Sequence, residues 1–195
     1  KYSSQWSKSL NNVLEYIKPL NSDIKDLEEL IDPTSDDLDQ LELYIRQRNS
    51  AMGFAALSLA EATKNNKALL NELLNSSGST VIRVMLEASR NYDDKVRNTV
   101  TELVVDMGES AIQPLSDELD NSDTTIRQQA VRLLGEIGTS KGIKPIGEIA
   151  SDRTEESEVL YSTVVALEKV RFSSLDRYRD ESQLDSDGYE IVEPL

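Results

Sequence analysis

Apolar positions in the first 62 residues follow helical spacing but show no internal repeat. One helix is predicted to end at Pro19, and its apolar residues lie three or four positions apart: Leu10, Val13, Leu14 and Ile17. A second helix is predicted to end at Pro33, with its apolar residues on one side: Ile24, Leu27, Leu30 and Ile31. Residues 1–62 are therefore predicted to form a helical N-terminal region or cap.

A third, longer helix is predicted to begin in the acidic turn after Thr34. Its main row of residues alternates at spacings of three and four and includes one arginine: Leu38, Leu41, Ile45, Arg48, Met52, Ala55 and Leu59. Packing of this row within its own domain is the favoured interpretation. Dimerisation or binding of a partner helix through residues 38–59 is the alternative. Gly53 lies where a neighbouring helix is expected to approach closely.

From Asn66 onwards the pattern changes to short helices of about a dozen residues. The first pair is predicted to cover residues 66–76 and 79–90. Gly78, between the two helices, is predicted to adopt a positive φ in a turn. This change in pattern predicts a series of antiparallel helix pairs that begins near residue 63.

The following segment contains an internal repeat. Val96-Arg97 matches Ile126-Arg127, which lies 30 residues later. Matching positions share their predicted roles: acidic N-caps at Asp93 or Asp94 and at Asp123, glycine C-caps at Gly108 and Gly138, and first-turn prolines of the second helix at Pro114 and Pro145. Arg97 and Arg127 recur at one repeat position. They are predicted to form a structural ladder to an acid or carbonyl of the neighbouring unit, with ligand contact as the alternative.

The second repeat carries the most specific motif: Asp123, Ile126-Arg127, Ala130, Leu134-Gly135-Glu136-Ile137-Gly138 and Ile146. These residues resemble the HEAT-repeat family, in particular its short phycobilisome-lyase HEAT-like subtype. The resemblance implies an all-α, right-handed α-solenoid of short antiparallel helix pairs, with units near residues 66–92, 93–122, 123–154 and 155–172. The last unit has Glu168 and Arg171 where the family has glycine, so it is expected to be a terminal cap. HEAT arrays mostly serve as interaction surfaces, which implies a non-catalytic protein–protein interaction scaffold or adaptor.

Charge narrows the classes of partner. The formal net charge is −15, from 21 basic and 36 acidic residues among 195. The sequence has no basic cluster, so binding to nucleic acid or to an anionic membrane surface is not expected. A protein or peptide partner with a basic surface is the specific expectation, and acidity that only maintains solubility is the plainer one. No apolar run reaches the length of a membrane span and no signal peptide is visible, so we expect a cytoplasmic protein.

The chain contains neither histidine nor cysteine, which removes the commonest general base, the commonest metal ligand and all thiolate chemistry. Iron-dependent deoxyhypusine hydroxylases, which are HEAT-like enzymes, need histidines that this chain lacks. We therefore expect no enzymatic activity, no metal and no cofactor. The alternative is an accessory subunit of an enzyme, such as a bilin-lyase-like component, because bilin lyases share this repeat subtype.

In HEAT arrays the second helices of successive pairs line the concave face. Their predicted buried residues are Ile82, Met85 and Leu86, then Ile112, Leu115 and Leu119, then Ile143, Ile146 and Ile149. The neighbouring outward positions form a predicted partner-binding ridge: Arg83, Glu87, Arg90, Gln113, Asp117, Asp120, Lys144 and Glu148. The mixed charge of this ridge suits a peptide or a helix, and ordinary solvated residues are the alternative.

Residues 173–195 are predicted to be an acidic tail, with 2 basic and 7 acidic residues. Leu175 and Tyr178 are expected to continue an amphipathic turn over the last repeat. Residues 189–192 are predicted either to dock as an extended peptide or to be disordered. The chain thus divides into a helical cap (1–62), HEAT-like repeats (63–172) and this tail.

Overall fold

The computed structural model describes residues 2–91 and 93–184, with side chains described for residues 3–91 and 93–173. Throughout these residues the secondary structure is helical and contains no strand, which confirms the predicted all-α class. The α-helices are α1 (Tyr2–Glu28), α2 (Ser35–Thr63), α3 (Lys67–Ser89), α4 (Asp94–Met107), α5 (Ile112–Asp117), α6 (Thr124–Ile137), α7 (Ile143–Ser151) and α8 (Ser157–Leu184). Short 3-10 turns follow α4 and α5 and precede α7.

Helix α1 runs through Pro19, so the prediction that Pro19 ends a helix is wrong. Proline removes one backbone hydrogen bond, but packing of a continuous apolar face can offset that loss. The buried residues of α1 form one stripe on both sides of the proline: Leu10, Ile17, Leu20 and Ile24. This stripe faces α2 and α3, both of which pack against α1. Leu30 and Ile31 lie beyond the end of α1 and are exposed, so their predicted place on an apolar helix face is also wrong.

Helix α2 begins with a capping box, because Asp37 N donates to Thr34 Oγ1 at 3.2 Å and Thr34 N donates to Asp37 Oδ2 at 2.8 Å. The second half of the predicted row is buried within the chain: Arg48, Met52, Ala55 and Leu59. Leu38, at the start of the row, is exposed. The buried half supports packing within the domain, and dimerisation through residues 38–59 would have only the first half of the row available.

Helix α3 bends where a turn was predicted, but at a different residue. Ser77 takes the non-helical φ and ψ of −155° and 34°, and its hydroxyl shares a 2.6 Å hydrogen bond with that of Ser7. Gly78 has no positive φ, so that part of the prediction is wrong. A Cβ on Gly78 would lie 3.5 Å from the ring of Pro114. That distance is an ordinary van der Waals contact, so neither the bend nor the packing of α5 requires glycine at this position.

The two central helix pairs have the predicted local structure. Asp93 and Asp123 are the N-caps of α4 and α6, and Gly108 and Gly138 follow these helices with φ of 55° and 66°. Along the array, α6 packs against α4 and α8, and α7 packs against α8. The last predicted unit contains one long helix, α8, which continues unbroken past residue 173. The peptide at 189–192 and the side chains of Leu175 and Tyr178 lie outside the described residues.

Candidate interaction surface

Two arginines of the predicted ridge are bound within the chain. Arg83 Nε donates to Glu118 Oε1 at 3.1 Å, and its Nη2 lies 2.8 Å from Glu118 Oε2. Arg90 Nη1 donates to Asp123 Oδ2 at 2.8 Å. The first ion pair joins α3 to the 3-10 turn after α5, and the second joins α3 to the N-cap of α6. These guanidinium groups therefore serve first to hold α3 to the helices that follow it.

Glu87 is only 5% exposed, so its predicted place on an outward ridge is wrong. The reason is tertiary, because α1 covers this side of α3 and Asn21 Nδ2 donates to Glu87 Oε1 at 3.3 Å. Burial raises the pKa of Glu87 above its usual value, although the nearby charges of Arg90 and Arg48 act in the opposite direction. Glu87 is thus part of a buried polar cluster, not of a binding surface.

The remaining ridge residues are exposed: Gln113, Asp117, Asp120, Lys144 and Glu148. Gln113 Nε2 donates to Asp117 Oδ1 at 2.8 Å along α5, and Lys144 Nζ lies 3.9 Å from Glu148 Oε1 along α7. Such exposed contacts one helical turn apart leave the side chains free to rearrange. Ile143 is exposed as well, contrary to its predicted burial, because α7 packs mainly through Ile146. A smaller, mostly acidic ridge therefore remains on α5 and α7.

The predicted arginine ladder is present. Arg97 Nη1 donates to the carbonyl oxygen of Asn91, and Arg127 Nη1 to that of Asn121, both at 2.7 Å. Each carbonyl belongs to the preceding unit. Arg127 also reaches forward, with Nη2 2.7 Å from Glu155 Oε1. The ladder explains why arginine recurs at this position without any ligand.

A groove of about 650 Å³ lies between α2 and the start of α4. We call it the α2–α4 groove, and its lining includes the apolar residues Ile45, Phe54, Leu57 and Val96 and the polar or charged residues Glu42, Arg46, Asn49, Asn91 and Asp93. Phe54 projects at its edge and is 74% exposed. Most of the exposed surface of the lining is apolar, polar and charged side chains stand among the apolar ones, and the groove is open to solvent. A surface of this kind suits the apolar face of a helix or peptide.

Two close contacts keep the walls of the α2–α4 groove together. Asn91 Nδ2 donates to the carbonyl oxygen of Asn49 at 2.7 Å, which ties the approach to α4 to the middle of α2. A Cβ on Gly53 would lie 3.0 Å from Asn91 Nδ2 and 3.3 Å from Val96 Cγ2. The expectation that a helix approaches closely at Gly53 is therefore confirmed. The groove is bounded by α2, by the start of α4 and by Asn91 and Asp93 of the connection between α3 and α4.

Sequence reasoning missed the α2–α4 groove because it followed the buried row of α2 and ignored the opposite side. One signal was present, since Phe54 lies off that row, between Met52 and Ala55. A large aromatic residue on the polar side of a helix indicates a contact surface when its neighbours are also apolar. A second concavity of about 430 Å³ shares Leu57 with the α2–α4 groove. Its lining includes lysines and acidic residues.

The described side chains contain no group of three or more acidic residues placed to hold a metal ion. In that same part of the chain, no helix combines the length and the apolar character that crossing a membrane requires. No protein-family model matches the chain, and no curated protein matches it.

Proposed function

We propose that this chain is a non-catalytic scaffold that binds a protein or peptide partner in the α2–α4 groove. The observation that carries the proposal is the exposed Phe54 beside an open apolar groove with fixed walls. Burial of an exposed phenylalanine by a partner contributes about 1.5–3 kcal/mol, which is the range of an interface anchor. Preformed walls add affinity because the partner does not have to order them.

The scaffold itself is a right-handed HEAT-like solenoid in this proposal. Three features support stacking of equivalent helices: Arg132 Nη1 of α6 donates to Thr101 Oγ1 of α4 at 3.3 Å, α6 approaches α8 closely at Gly135, and Arg127 joins α6 to the residues before α8. Adjacent units pack on one another through α4 with α6 and through α6 with α8, as the stacking of a repeat array requires, and α3 also contacts α6. A stack of this kind presents a stable surface and needs no reactive group.

The partner that fits best is an amphipathic helix or peptide. Its apolar residues would cover Phe54 and Ile45, and its polar residues would meet the charged concavity beyond Leu57. The acidic ridge on α5 and α7 is a second surface, suited to basic groups of the same partner. In this arrangement the groove supplies affinity and the ridge supplies selectivity.

Affinity capture from an extract of the organism that encodes the chain tests this proposal. The bait is the intact chain, compared with Phe54→Asp and with Tyr16→Asp, a matched change at an exposed aromatic residue of α1. We expect one stoichiometric protein partner that is retained by the parent chain and by Tyr16→Asp but lost with Phe54→Asp.

A third bait, the double variant Asp117→Lys with Lys144→Glu, separates the groove from the ridge. A partner lost only with this variant would assign binding to the ridge and overturn the groove assignment. Absence of any stoichiometric protein partner from the parent bait would overturn the scaffold proposal itself. Far-UV circular dichroism of every variant must match that of the parent chain.

A further inference from the structure

Helix α8 carries apolar residues on two opposite sides. One stripe is buried against the rest of the chain: Val159, Thr163, Ala166 and Val170. At 3.6 residues per turn, a second stripe falls about half a turn away, and it is exposed: Tyr161 is 71%, Val164 58% and Phe172 61% exposed. A helix with apolar residues on both sides is normally covered on both sides. Within residues 3–91 and 93–173, no side chain covers this second stripe.

A further regular repeat does not fit on this stripe. Helix α8 approaches α6 at Gly135, where an added Cβ would lie 2.7 Å from the Cα and Cβ of Ala166. The repeat offset of 33 residues places Glu168 at the equivalent position of α8. The side chain of Glu168 prevents another helix from packing on α8 as closely as α8 packs on α6. The covering surface must tolerate a charge in the middle of its contact.

Tyr161 and Val164 of this stripe also begin a row of residues at heptad spacing, which does not include Phe172 and whose steps read the same in both directions. Tyr161, Val164, Glu168 and Arg171 are followed in the sequence by Leu175 and Tyr178, at steps of three, four, three, four and three residues. All six positions lie within α8, which extends to Leu184. The order is aromatic, aliphatic, charged, charged, aliphatic and aromatic. An order of this kind matches itself when two copies of the helix run in opposite directions.

The geometry points to a homodimer in which the α8 helices of two copies pack antiparallel about a twofold axis between Glu168 and Arg171. Both residues are exposed, and neither forms an ion pair with a described residue of its own chain. In the antiparallel pair, Glu168 of each copy faces Arg171 of the other, so two opposite-charge pairs form at the centre. A parallel pair would place Glu168 against Glu168, which is repulsive. The charges therefore favour a second copy of the chain as the partner of this stripe, and they favour the antiparallel direction of its α8 helix.

Sedimentation equilibrium of the full chain over a range of concentrations tests the homodimer. We expect a reversible monomer–dimer equilibrium, which Val164→Lys abolishes. Val105→Lys, a matched change at an exposed valine of α4, leaves the dimer intact. A parent chain that remains monomeric up to its solubility limit would overturn the proposal, and so would a dimer unaffected by Val164→Lys. Circular dichroism confirms that each variant retains its helix content.

Charge reversal tests the antiparallel direction. Glu168→Arg leaves two arginines at the centre and Arg171→Glu leaves two glutamates, so each variant alone should weaken the dimer by about tenfold or more. An equimolar mixture of the two variants restores both opposite-charge pairs, and we expect heterodimers with near-parental affinity. The double variant Glu168→Arg with Arg171→Glu should also dimerise like the parent chain. A mixture as weak as its separate components would contradict the antiparallel pairing.

Discussion

Replacing Gly135 by alanine perturbs the contact between α6 and α8 at a single point. The added Cβ would lie 2.7 Å from both Cα and Cβ of Ala166 and 3.3 Å from its carbonyl oxygen. Two of these three atoms belong to the backbone and cannot rotate away. Helices α6 and α8 must therefore separate, or one must shift along the other, and the apolar contacts around them loosen.

The size of the effect follows from two opposing terms. Overpacking costs about 1–3 kcal/mol, and a backbone clash belongs in the upper part of that range. Alanine is a better helix former than glycine by about 1 kcal/mol, which returns part of the cost. We expect a net loss of about 1–2 kcal/mol in the free energy of unfolding. Gly147→Ala in α7 is the control, because no atom lies within 4 Å of its added Cβ, and it should gain about 0.5–1 kcal/mol.

Urea and thermal unfolding, followed by far-UV circular dichroism at one protein concentration, measure this difference. For a chain of this size about 1 kcal/mol corresponds to about 2–4 °C, so Gly135→Ala should lower the Tm by about 2–8 °C. Gly147→Ala should raise the Tm slightly. If Gly135→Ala were as stable as Gly147→Ala, the close packing of α6 on α8 would be refuted.

Three further changes test separate parts of the fold by urea denaturation. Arg127→Met should lower the free energy of unfolding by about 3–5 kcal/mol, because it leaves Glu155, whose side chain is only 6% exposed, without its cation. Arg97→Met removes a more exposed ion pair and should lower it by no more than about 2 kcal/mol. Pro19→Ala should stabilise the chain by up to about 3 kcal/mol because the proline lies inside α1, and a loss of stability would show that the ring is needed there. Because burial raises the folded-state pKa of Glu87, its stabilising contribution is present below the ordinary pKa and is lost as pH rises through the raised value. The parent chain should therefore lose stability relative to Glu87→Gln as the pH rises above the ordinary glutamate pKa of about 4.3, and the opposite trend would contradict the effect of burial.

The caps of α4 and α6 were predictable because their signals are local. An N-cap such as Asp123 acts on backbone groups two residues away, where it accepts a hydrogen bond from Thr125 N at 2.9 Å. A C-cap such as Gly138 is determined by the positive φ that ends its own helix. Neither feature depends on how the rest of the chain packs. The arginine ladder was predictable for a related reason, since Arg97 and Arg127 recur with the caps.

Other features depend on distant residues, and sequence reasoning missed them. Whether Pro19 ends a helix depends on the apolar face that α2 and α3 provide for α1. Burial of Glu87 depends on the same helix, α1, which contributes Asn21 to the cluster. Predicting the α2–α4 groove from the sequence would require knowing that Gly53 packs against Asn91 and Val96. No pattern within one helix carries that information.

Hydrogen exchange of the captured complex, compared with the free chain, tests the binding proposal most directly. If the partner occupies the α2–α4 groove, amide exchange should slow in residues 45–57 of α2 and at residues 93–97, where α4 begins. Exchange in α1, which lies outside the groove, should stay the same. Slowed exchange confined to α5 and α7, with residues 45–57 unchanged, would contradict the account.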